Sequence, residues 1–143
     1  MRRVYLDNCS LNRPYDDQTQ IRISLETEAK LYIQTSIANG KLEMAWSYML
    51  YYENSKNTNI AKRNAILNFA KNAVIVTTAN PSIIHRAKEI GATGIKAADA
   101  LHIACAIDAN CDCFITTDDR VLKYRSDSIQ ILDPIDFIRF VEN

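Results

Sequence analysis

Short apolar runs alternate with longer amphipathic segments along the chain. Five runs rich in β-favouring residues are predicted strands, at 3–6, 42–46, 74–76, 113–117 and 129–132. Helical spacing or composition predicts helices at about 20–38, 48–56, 60–72, 81–90, around Asp99, at 120–124 and from Pro134. We expect the run at 42–46 to be half-buried and the run at 74–76 to be buried. Strands that alternate with helices predict an α/β sandwich around a mostly parallel sheet.

Several local signals refine these boundaries. The polar segment 8–17 is predicted to be a surface loop, and Asp16, Asp17 and Thr19 are candidate caps for the helix that follows. Ser47 is a candidate N-cap for the next helix. Asn80 and Pro81 are expected to open the helix at 81–90.

Two of the predicted core strands end in carboxylates. The first strand stops at Asp7, and the run at 113–117 stops at Asp118 and Asp119. Asp99 lies near the start of an alanine-rich helix, where the positive end of the helix dipole favours a carboxylate. A carboxylate at the end of a buried strand is costly to desolvate unless a cation compensates it. Ligands of open α/β sheets bind outside the carboxyl ends of the strands, so we expect a metal ion there.

Oxygen ligands of this kind favour magnesium or manganese. Such an ion activates water and neutralises charge on a phosphodiester. Other chemistries have less sequence support: the phosphate-binding pattern GxxxxGK[ST], the dinucleotide-binding pattern GxGxxG and the nucleophile pattern GxSxG do not occur.

Glu53 lies on the predicted helix that also carries a stripe of tyrosines, Tyr48, Tyr51 and Tyr52. If the tyrosines pack outward against a neighbour, Glu53 points inward; otherwise it is a solvated surface acid. The sequence does not decide between these arrangements. Core packing is the default interpretation for aromatic residues at helical spacing.

The histidines and cysteines are better explained as structural residues. His102 follows Asp99 by three residues, and packing and hydrogen bonding beneath the site is favoured over catalysis. His85 is expected to be solvated. Cys111 and Cys113 are separated by one residue, and we expect reduced, buried thiols in preference to a shared zinc.

Composition limits the remaining possibilities. The chain has 143 residues, enough for one domain over 1–143 with a sizeable core. Seventeen basic and seventeen acidic residues balance, so phosphate binding would depend on local patches or bound cations. Neither a signal peptide nor an apolar run of membrane-spanning length is apparent, and we therefore expect a cytoplasmic protein without a membrane partner.

The order of these motifs resembles the PIN-domain proteins. The motifs are Asp7 after the first strand, Ser47-x5-Glu53, the segment ADALHIA at 98–104, and FITTD at 114–118. The resemblance spans nearly the whole chain and is closest to the small VapC-like ribonucleases of toxin–antitoxin pairs. It implies a three-layer sandwich with helices flanking the sheet.

The resemblance also implies an activity and its residues. Asp7, Glu53, Asp99 and Asp118 match an acidic quartet that binds Mg²⁺ or Mn²⁺ for hydrolysis of RNA. Asp119 is a reserve ligand, acting through water, or a cap for the following helix. Thr116 matches a threonine that orients a carboxylate or a water.

Implied partners are an RNA substrate, an antitoxin protein and a second copy in a homodimer. The tyrosine stripe is then open to three interpretations: core, homodimer surface or antitoxin groove. Candidate phosphate contacts are Arg13, Lys96, Lys123 and Arg125. Rival interpretations are a PIN scaffold that only binds, and a metal-dependent phosphatase or DNA-directed nuclease. The chain departs from the family pattern at Cys9 and at the polar segment 12–14.

Overall fold

The structure is a computed structural model that describes residues 1–142. Its strands are β1 (Arg3–Leu6), β2 (Glu43–Ser47), β3 (Ile75–Thr77), β4 (Cys113–Ile115) and β5 (Gln130–Leu132). Its helices are α1 (Asn8–Asn12), α2 (Ile21–Ala38), α3 (Tyr48–Ser55), α4 (Ile60–Ala70), α5 (Pro81–Gly91), α6 (Ala97–Asp108), α7 (Asp119–Leu122) and α8 (Pro134–Glu142). A 3-10 turn at Arg13–Tyr15 follows α1.

The five strands form one sheet in the order β3-β2-β1-β4-β5, and every pairing is parallel. β1 pairs with β4 in the register Leu6 to Ile115. The strand order therefore reverses between β1 and β4, which is where open α/β sheets bind their ligands. The predicted α/β sandwich with a mostly parallel sheet is confirmed.

Helices flank this sheet. α5 packs along α6, and α6 contacts β2 and β4; α2 packs on α8, which contacts β4 and β5. Ser47 caps α3 by accepting a hydrogen bond from the Leu50 amide, and Asn80 caps α5 in the same way from Ile83, as predicted. Within residues 1–142, no helix is both long enough and apolar enough to cross a bilayer.

The core lies at the centre of the sheet. Trp46, Tyr5 and Phe114 are each at most 1% exposed. β2 is therefore buried on both faces, so the half-buried prediction is wrong; a central parallel strand is covered on both sides. The buried prediction for 74–76 is also wrong, because β3 is the edge strand and all three residues are exposed.

The loop prediction for 8–17 is wrong over residues 8–15, and only Asp16 and Asp17 are irregular. Asp7 caps α1 through the Ser10 amide, and Leu11 is buried, so a polar stretch forms a short helix and then the 3-10 turn. The capping prediction for α2 is also wrong. Its N-cap is Gln20, without a side-chain hydrogen bond, because Asp17 accepts instead from the amide and hydroxyl of Thr19.

Candidate active site

Asp7 lies at the carboxyl end of β1, beside β4, and only 4% of it is exposed. Its Oδ1 accepts a hydrogen bond from the Ser10 amide at 2.9 Å. Burial raises the pKa of Asp7 to about 6, although hydrogen bonds from Thr116 and Ser10 lower it. The ionised carboxylate is therefore electrostatically unfavourable here, and a bound cation would relieve it.

Asp118 follows β4 and makes two local hydrogen bonds. Its side chain accepts from the Arg120 amide at 2.9 Å, which caps α7, and its own amide donates to Thr116 Oγ1 at 3.1 Å. Thr116 thus contacts the acids at both strand ends. This position fits the predicted role of Thr116 in orienting a carboxylate.

Asp99 lies in the first turn of α6 and is half-buried. Partial burial raises the pKa of Asp99, the negative charges of Asp118 and Glu53 raise it further, and His102 and Lys96 lower it. Two of the other predicted acids therefore act on Asp99 through space. The structure gathers residues from β4, α3 and α6 into one anionic region.

Glu53 points inward and meets His102. Its Oε1 lies 2.7 Å from His102 Nε2, and the imidazole is almost fully buried. The other ring nitrogen, Nδ1, lies 2.6 Å from the Tyr5 hydroxyl, which lies 2.6 Å from Ser47 Oγ. Of the tyrosines on the same helix, Tyr48 is partly buried against the core, whereas Tyr51 is 40% and Tyr52 is 54% exposed.

With a neutral imidazole at His102, these contacts form a chain of hydrogen bonds that runs in one direction. An ionised Glu53 only accepts, so His102 Nε2–H donates to it. Nδ1 then accepts from the Tyr5 hydroxyl, the Tyr5 oxygen accepts from the Ser47 hydroxyl, and Ser47 Oγ accepts from the Leu50 amide. This assignment follows from the network and leaves each side chain satisfied.

Sequence reasoning missed Tyr5 altogether, because its partners are 42 and 97 residues away. The available signal was a residue with a polar tip inside a strand that is otherwise apolar. The burial and bonding of His102 agree with the structural role expected for it. His85 is solvated, with its side chain 80% exposed beside Glu89, as predicted.

Asp119 is paired with Arg22 of α2. Both of its oxygens meet the Arg22 guanidinium, at 2.7 and 3.0 Å, and Arg22 also donates to the Thr117 carbonyl. Hydrogen bonding to Arg22 lowers the pKa of Asp119. The structure thus places Asp119 in a surface ion pair that holds the β4–α7 connection. The residue that caps α7 is Asp118 instead.

A cleft of about 590 Å³ opens beside the acids. It contains two acids of the predicted quartet, Glu53 and Asp118, together with Asp16 and several cations. The full lining is Asn8, Cys9, Asn12, Arg13, Asp16, Glu53, Lys56, Asn57, Lys62, Thr117, Asp118 and Arg120. The cleft has the size and mixed charge of a site for a phosphate-containing ligand.

Cys9, Asn12 and Arg13, which depart from the family pattern, all line the cleft. The thiol of Cys9 is the departure with the most distinct chemistry. Desolvation and the charges of Asp7, Asp118 and Asp99 raise the pKa of its thiol to about 12. The thiol is therefore protonated at neutral pH and unsuited to act as a nucleophile. The other three cysteines are buried, and all four are free thiols, as expected.

The donor set fits a hard divalent cation in its chemistry, since all four groups are carboxylates. Burial raises the pKa of Asp7 and of Asp99, and the charges of Asp118 and Glu53 raise that of Asp99 further; a bound cation would reverse these effects. Among residues 1–142, however, no three His, Cys, Asp or Glu side chains stand in an arrangement that holds a metal. Three of the acids are hydrogen-bonded to protein donors instead: Asp7 to Ser10, Glu53 to His102 and Asp118 to Arg120.

Comparisons with known proteins agree with this architecture. The structure is similar to a DNA-bound VapBC from Salmonella typhimurium, with 18% identity, 94% of this chain and 99% of that chain covered, and a TM-score of 0.54. It is similar to VapBC2 from Rickettsia felis bound to a promoter DNA fragment, with 16% identity, 90% and 96% coverage, and a TM-score of 0.53. It is also similar to PAE2754 from Pyrobaculum aerophilum, with 11% identity, 99% of this chain and 98% of that chain covered, and a TM-score of 0.56.

At these identities the solved structures show a shared fold. No curated protein sequence matches the chain significantly. The family comparison is more direct, because the PIN domain model matches residues 4–126, which is most of the chain. The chain therefore belongs to the PIN domain family.

Proposed function

We propose that this protein is a divalent-metal-dependent ribonuclease and the toxin of a toxin–antitoxin pair. The observation that carries the proposal is the position of Asp7 and Asp118 at the carboxyl ends of adjacent strands. Asp118 and Glu53 are also close enough to Asp99 to raise its pKa by charge repulsion. This is the switch point of the sheet, and burial there makes the ionised form of Asp7 unfavourable.

Asp7, Glu53, Asp99 and Asp118 would hold Mg²⁺ or Mn²⁺. When bound, the cation supplies a Lewis acid that activates water and offsets charge on the scissile phosphodiester. Magnesium keeps several of its waters, so carboxylates that contact it through water also contribute to its binding. Asp119 as a further ligand stays a prediction, and its ion pair with Arg22 disfavours it.

The chain's own residues prepare the acids for this task. The Ser10 amide and Thr116 fix Asp7, Thr116 also holds the backbone of Asp118, and His102 holds the Glu53 carboxylate at the cleft. Three of the four acids are therefore oriented before a substrate arrives, which is what metal and phosphate chemistry requires.

The proposed antitoxin partner follows from family membership and from the two similar VapBC structures, which are described as bound to DNA. The homodimer and the cytoplasmic location stay predictions. A second candidate is a PIN scaffold that binds without catalysis, and it is favoured by the lack of a metal-holding arrangement among residues 1–142. Cleavage of DNA or of a phosphomonoester is a further alternative.

Cleavage of RNA tests the proposal. Purified protein with Mn²⁺ is expected to cut a mixed-sequence RNA, and EDTA is expected to stop it. Asp99→Asn should lose more than about 100-fold in rate, because it removes a metal ligand. Asp108→Asn is the matched control, since it makes the same change at an exposed position on the same helix. Equal cleavage by both variants contradicts the proposal, and parallel assays on DNA and a phosphomonoester separate the alternatives.

A further inference from the structure

Glu26 on α2 is a buried carboxylate that lies outside the acidic quartet, with only 1% of the residue exposed. Its Oε1 lies 3.2 Å from Arg13 Nε, and its Oε2 lies 3.4 Å from Arg22 Nε. A buried charge is costly unless it is paired, and even a paired one gains little net stability over an apolar replacement. Stability alone is therefore a weak explanation for this charged triad.

The first arm of the triad reaches the 3-10 turn, which lines one part of the cleft. Arg13 and Asp16 both line the cleft, and Arg13 Nη1 donates to Asp16 Oδ2 at 3.1 Å. Arg13 was a candidate phosphate contact, but its ion pairs give it a structural role, because they tie the turn to α2. The other candidates, Lys96, Lys123 and Arg125, are not among the residues that line the cleft.

The second arm reaches the connection between β4 and α7, which lines another part of the cleft. Arg22 Nη2 donates to the Thr117 carbonyl at 3.2 Å. Thr117 is itself buried, and it lines the cleft together with Asp118, the next residue. Arg22 also pairs with Asp119, but the side chain of Asp119 is 67% exposed, so solvent screens this pair. The contact to Thr117 is therefore the one that can hold the backbone beside Asp118.

A guanidinium suits this arrangement, because it is a planar fork with several N–H donors. Arg22 contacts Glu26 through Nε and Asp119 through Nη1. Its Nη2 reaches the Thr117 carbonyl, 95 residues away in sequence. A lysine ammonium would keep the positive charge but lacks the fork that spans these partners. The shape of the guanidinium, together with its charge, therefore links α2 to the cleft.

We propose that Glu26 is a positioning residue: it holds Arg22 so that the guanidinium fixes the backbone of Thr117 and, with it, the direction of the Asp118 carboxylate. This inference rests on the proposed function, in which Asp118 contributes to a divalent-metal site. Contacts beyond the direct ligands orient those ligands, and their loss lowers metal affinity about 10- to 100-fold. A purely structural role would instead lower stability and leave the affinity of the folded protein unchanged.

Amide hydrogen exchange in EDTA tests the positioning without any metal. Several amides of the segment 116–122 are hydrogen-bonded, so their exchange can be followed. In Glu26→Gln, this segment should accelerate at least about tenfold more than α5, the segment 81–91, because the lost contact opens it locally. Glu28→Gln makes the same change at an exposed position on α2 and serves as the matched control. Equal acceleration of both segments would mean a general loss of stability and overturns the inference.

Calorimetric titration with Mn²⁺ tests whether the effect reaches Asp118. Glu26→Gln should weaken Mn²⁺ binding about tenfold relative to the wild type. In an Asp118→Asn background the same substitution should have no further effect, because the carboxylate that it positions is absent. In an Asp99→Asn background the effect should remain. A full effect in the Asp118→Asn background would mean that Glu26 acts through the charge of the whole site, which overturns the inference.

Arg22→Lys carries the same test if Glu26→Gln does not fold, because the Arg22 side chain is half-exposed. It keeps a positive charge beside Glu26 and removes the fork, so we expect the same local exchange and the same loss of Mn²⁺ affinity. Arg86→Lys, at an exposed position on α5, is its matched control. Wild-type exchange and affinity in Arg22→Lys overturn the inference.

The two readouts separate this inference from the proposed function. The predicted exchange difference, with no Mn²⁺ binding even by the wild type, supports the positioning contact and contradicts the proposed metal-dependent function. Mn²⁺ binding and RNA cleavage by the wild type, with both variants equal to their controls, overturn this inference alone.

Discussion

His102 Nε2 lies 2.7 Å from Glu53 Oε1, although the two residues are 49 positions apart in the chain. The contact decides which way α3 presents its side chains, because it turns Glu53 inward while Tyr51 and Tyr52 stay exposed. Tyr5 supports the other side of the imidazole from β1. A carboxylate in the cleft is thus held by a histidine that a buried tyrosine holds in turn.

Removal of the imidazole should disturb both activity and stability. His102→Ala is expected to lower cleavage about 10- to 100-fold, since Glu53 loses the donor that orients it. It should also lower the free energy of unfolding by about 2–4 kcal/mol, because it leaves a cavity and unpaired Tyr5 and Glu53 groups. Cleavage rates and urea unfolding measure the two effects.

Tyr5→Phe is the companion variant, because it keeps the ring and removes only the hydroxyl. We expect the free energy of unfolding to fall by about 1–2 kcal/mol. Cleavage should fall less than in His102→Ala, since His102 Nε2 still faces Glu53. Wild-type activity in His102→Ala would show that Glu53 does not depend on this contact.

Asp7 should destabilise the metal-free protein at neutral pH. Its pKa is raised from 3.8 to about 6, so the native state holds this proton more tightly than the unfolded chain does. Its contribution to stability is complete below pH 3.8 and is lost as the pH rises through 6. Asp7→Asn keeps the capping oxygen for Ser10 and should stabilise the protein by about 2 kcal/mol at pH 7.5.

Thermal unfolding in EDTA checks this prediction. The variant should melt about 4–8 °C higher at pH 7.5, and the difference should shrink toward pH 4. Mn²⁺ should raise the melting temperature of the wild type more than that of the variant. A variant that melts lower than the wild type at pH 7.5 would mean that the buried carboxylate is well compensated.

Asp119 and Asp118 should behave differently despite being neighbours. Asp119→Asn is expected to keep cleavage within about twofold, because its carboxylate faces Arg22. Asp118→Asn should lose more than about 100-fold, as a predicted metal ligand. The cleavage rates of the two variants are measured at the same metal concentration. Similar losses in both would restore Asp119 as a ligand.

Lys30 is buried on α2 with Gln34 and the Phe69 ring as its partners. Burial lowers its pKa from 10.5 to about 8, so the charged form is unfavourable in the native state. Stability should increase as the pH rises from 8 toward 10.5, because the unfolded chain then holds the extra proton. Lys30→Met should therefore stabilise the protein at pH 7 by about 1–2 kcal/mol.

Urea unfolding at pH 7 and pH 10 measures the effect of this substitution, with Lys41→Met as the control at an exposed position. The advantage of Lys30→Met is expected to shrink at pH 10. If the advantage is the same at both pH values, the gain comes from packing and not from removal of a desolvated charge.

The sequence predicts the strands and most helices because each has a local signal. Apolar runs of three to five residues identify β1 and β4, and Ser47 and Asn80 mark helix starts through their own side chains. The acids at the strand ends follow directly from these assignments. Their proximity to one another depends on strand order, which family resemblance and not periodicity suggested.

The remaining errors concern contacts that are distant in sequence. β2 and β3 are both apolar, and only their positions in the sheet make one buried and the other exposed. α1 was missed because its cap, Asp7, was assigned to a metal site alone. The Tyr5 contact joins β1 to α6, and no local pattern encodes such a pair.

The central claim is that these four acids form one site for a divalent cation. Calorimetric titration with Mn²⁺ at pH 7.5 tests it most directly, on the wild type, on Asp99→Asn and on the Asp108→Asn control. We predict saturable binding by the wild type and the control, and a loss of at least about tenfold in affinity for Asp99→Asn. Absent binding, or equal affinity in all three proteins, would contradict the claim.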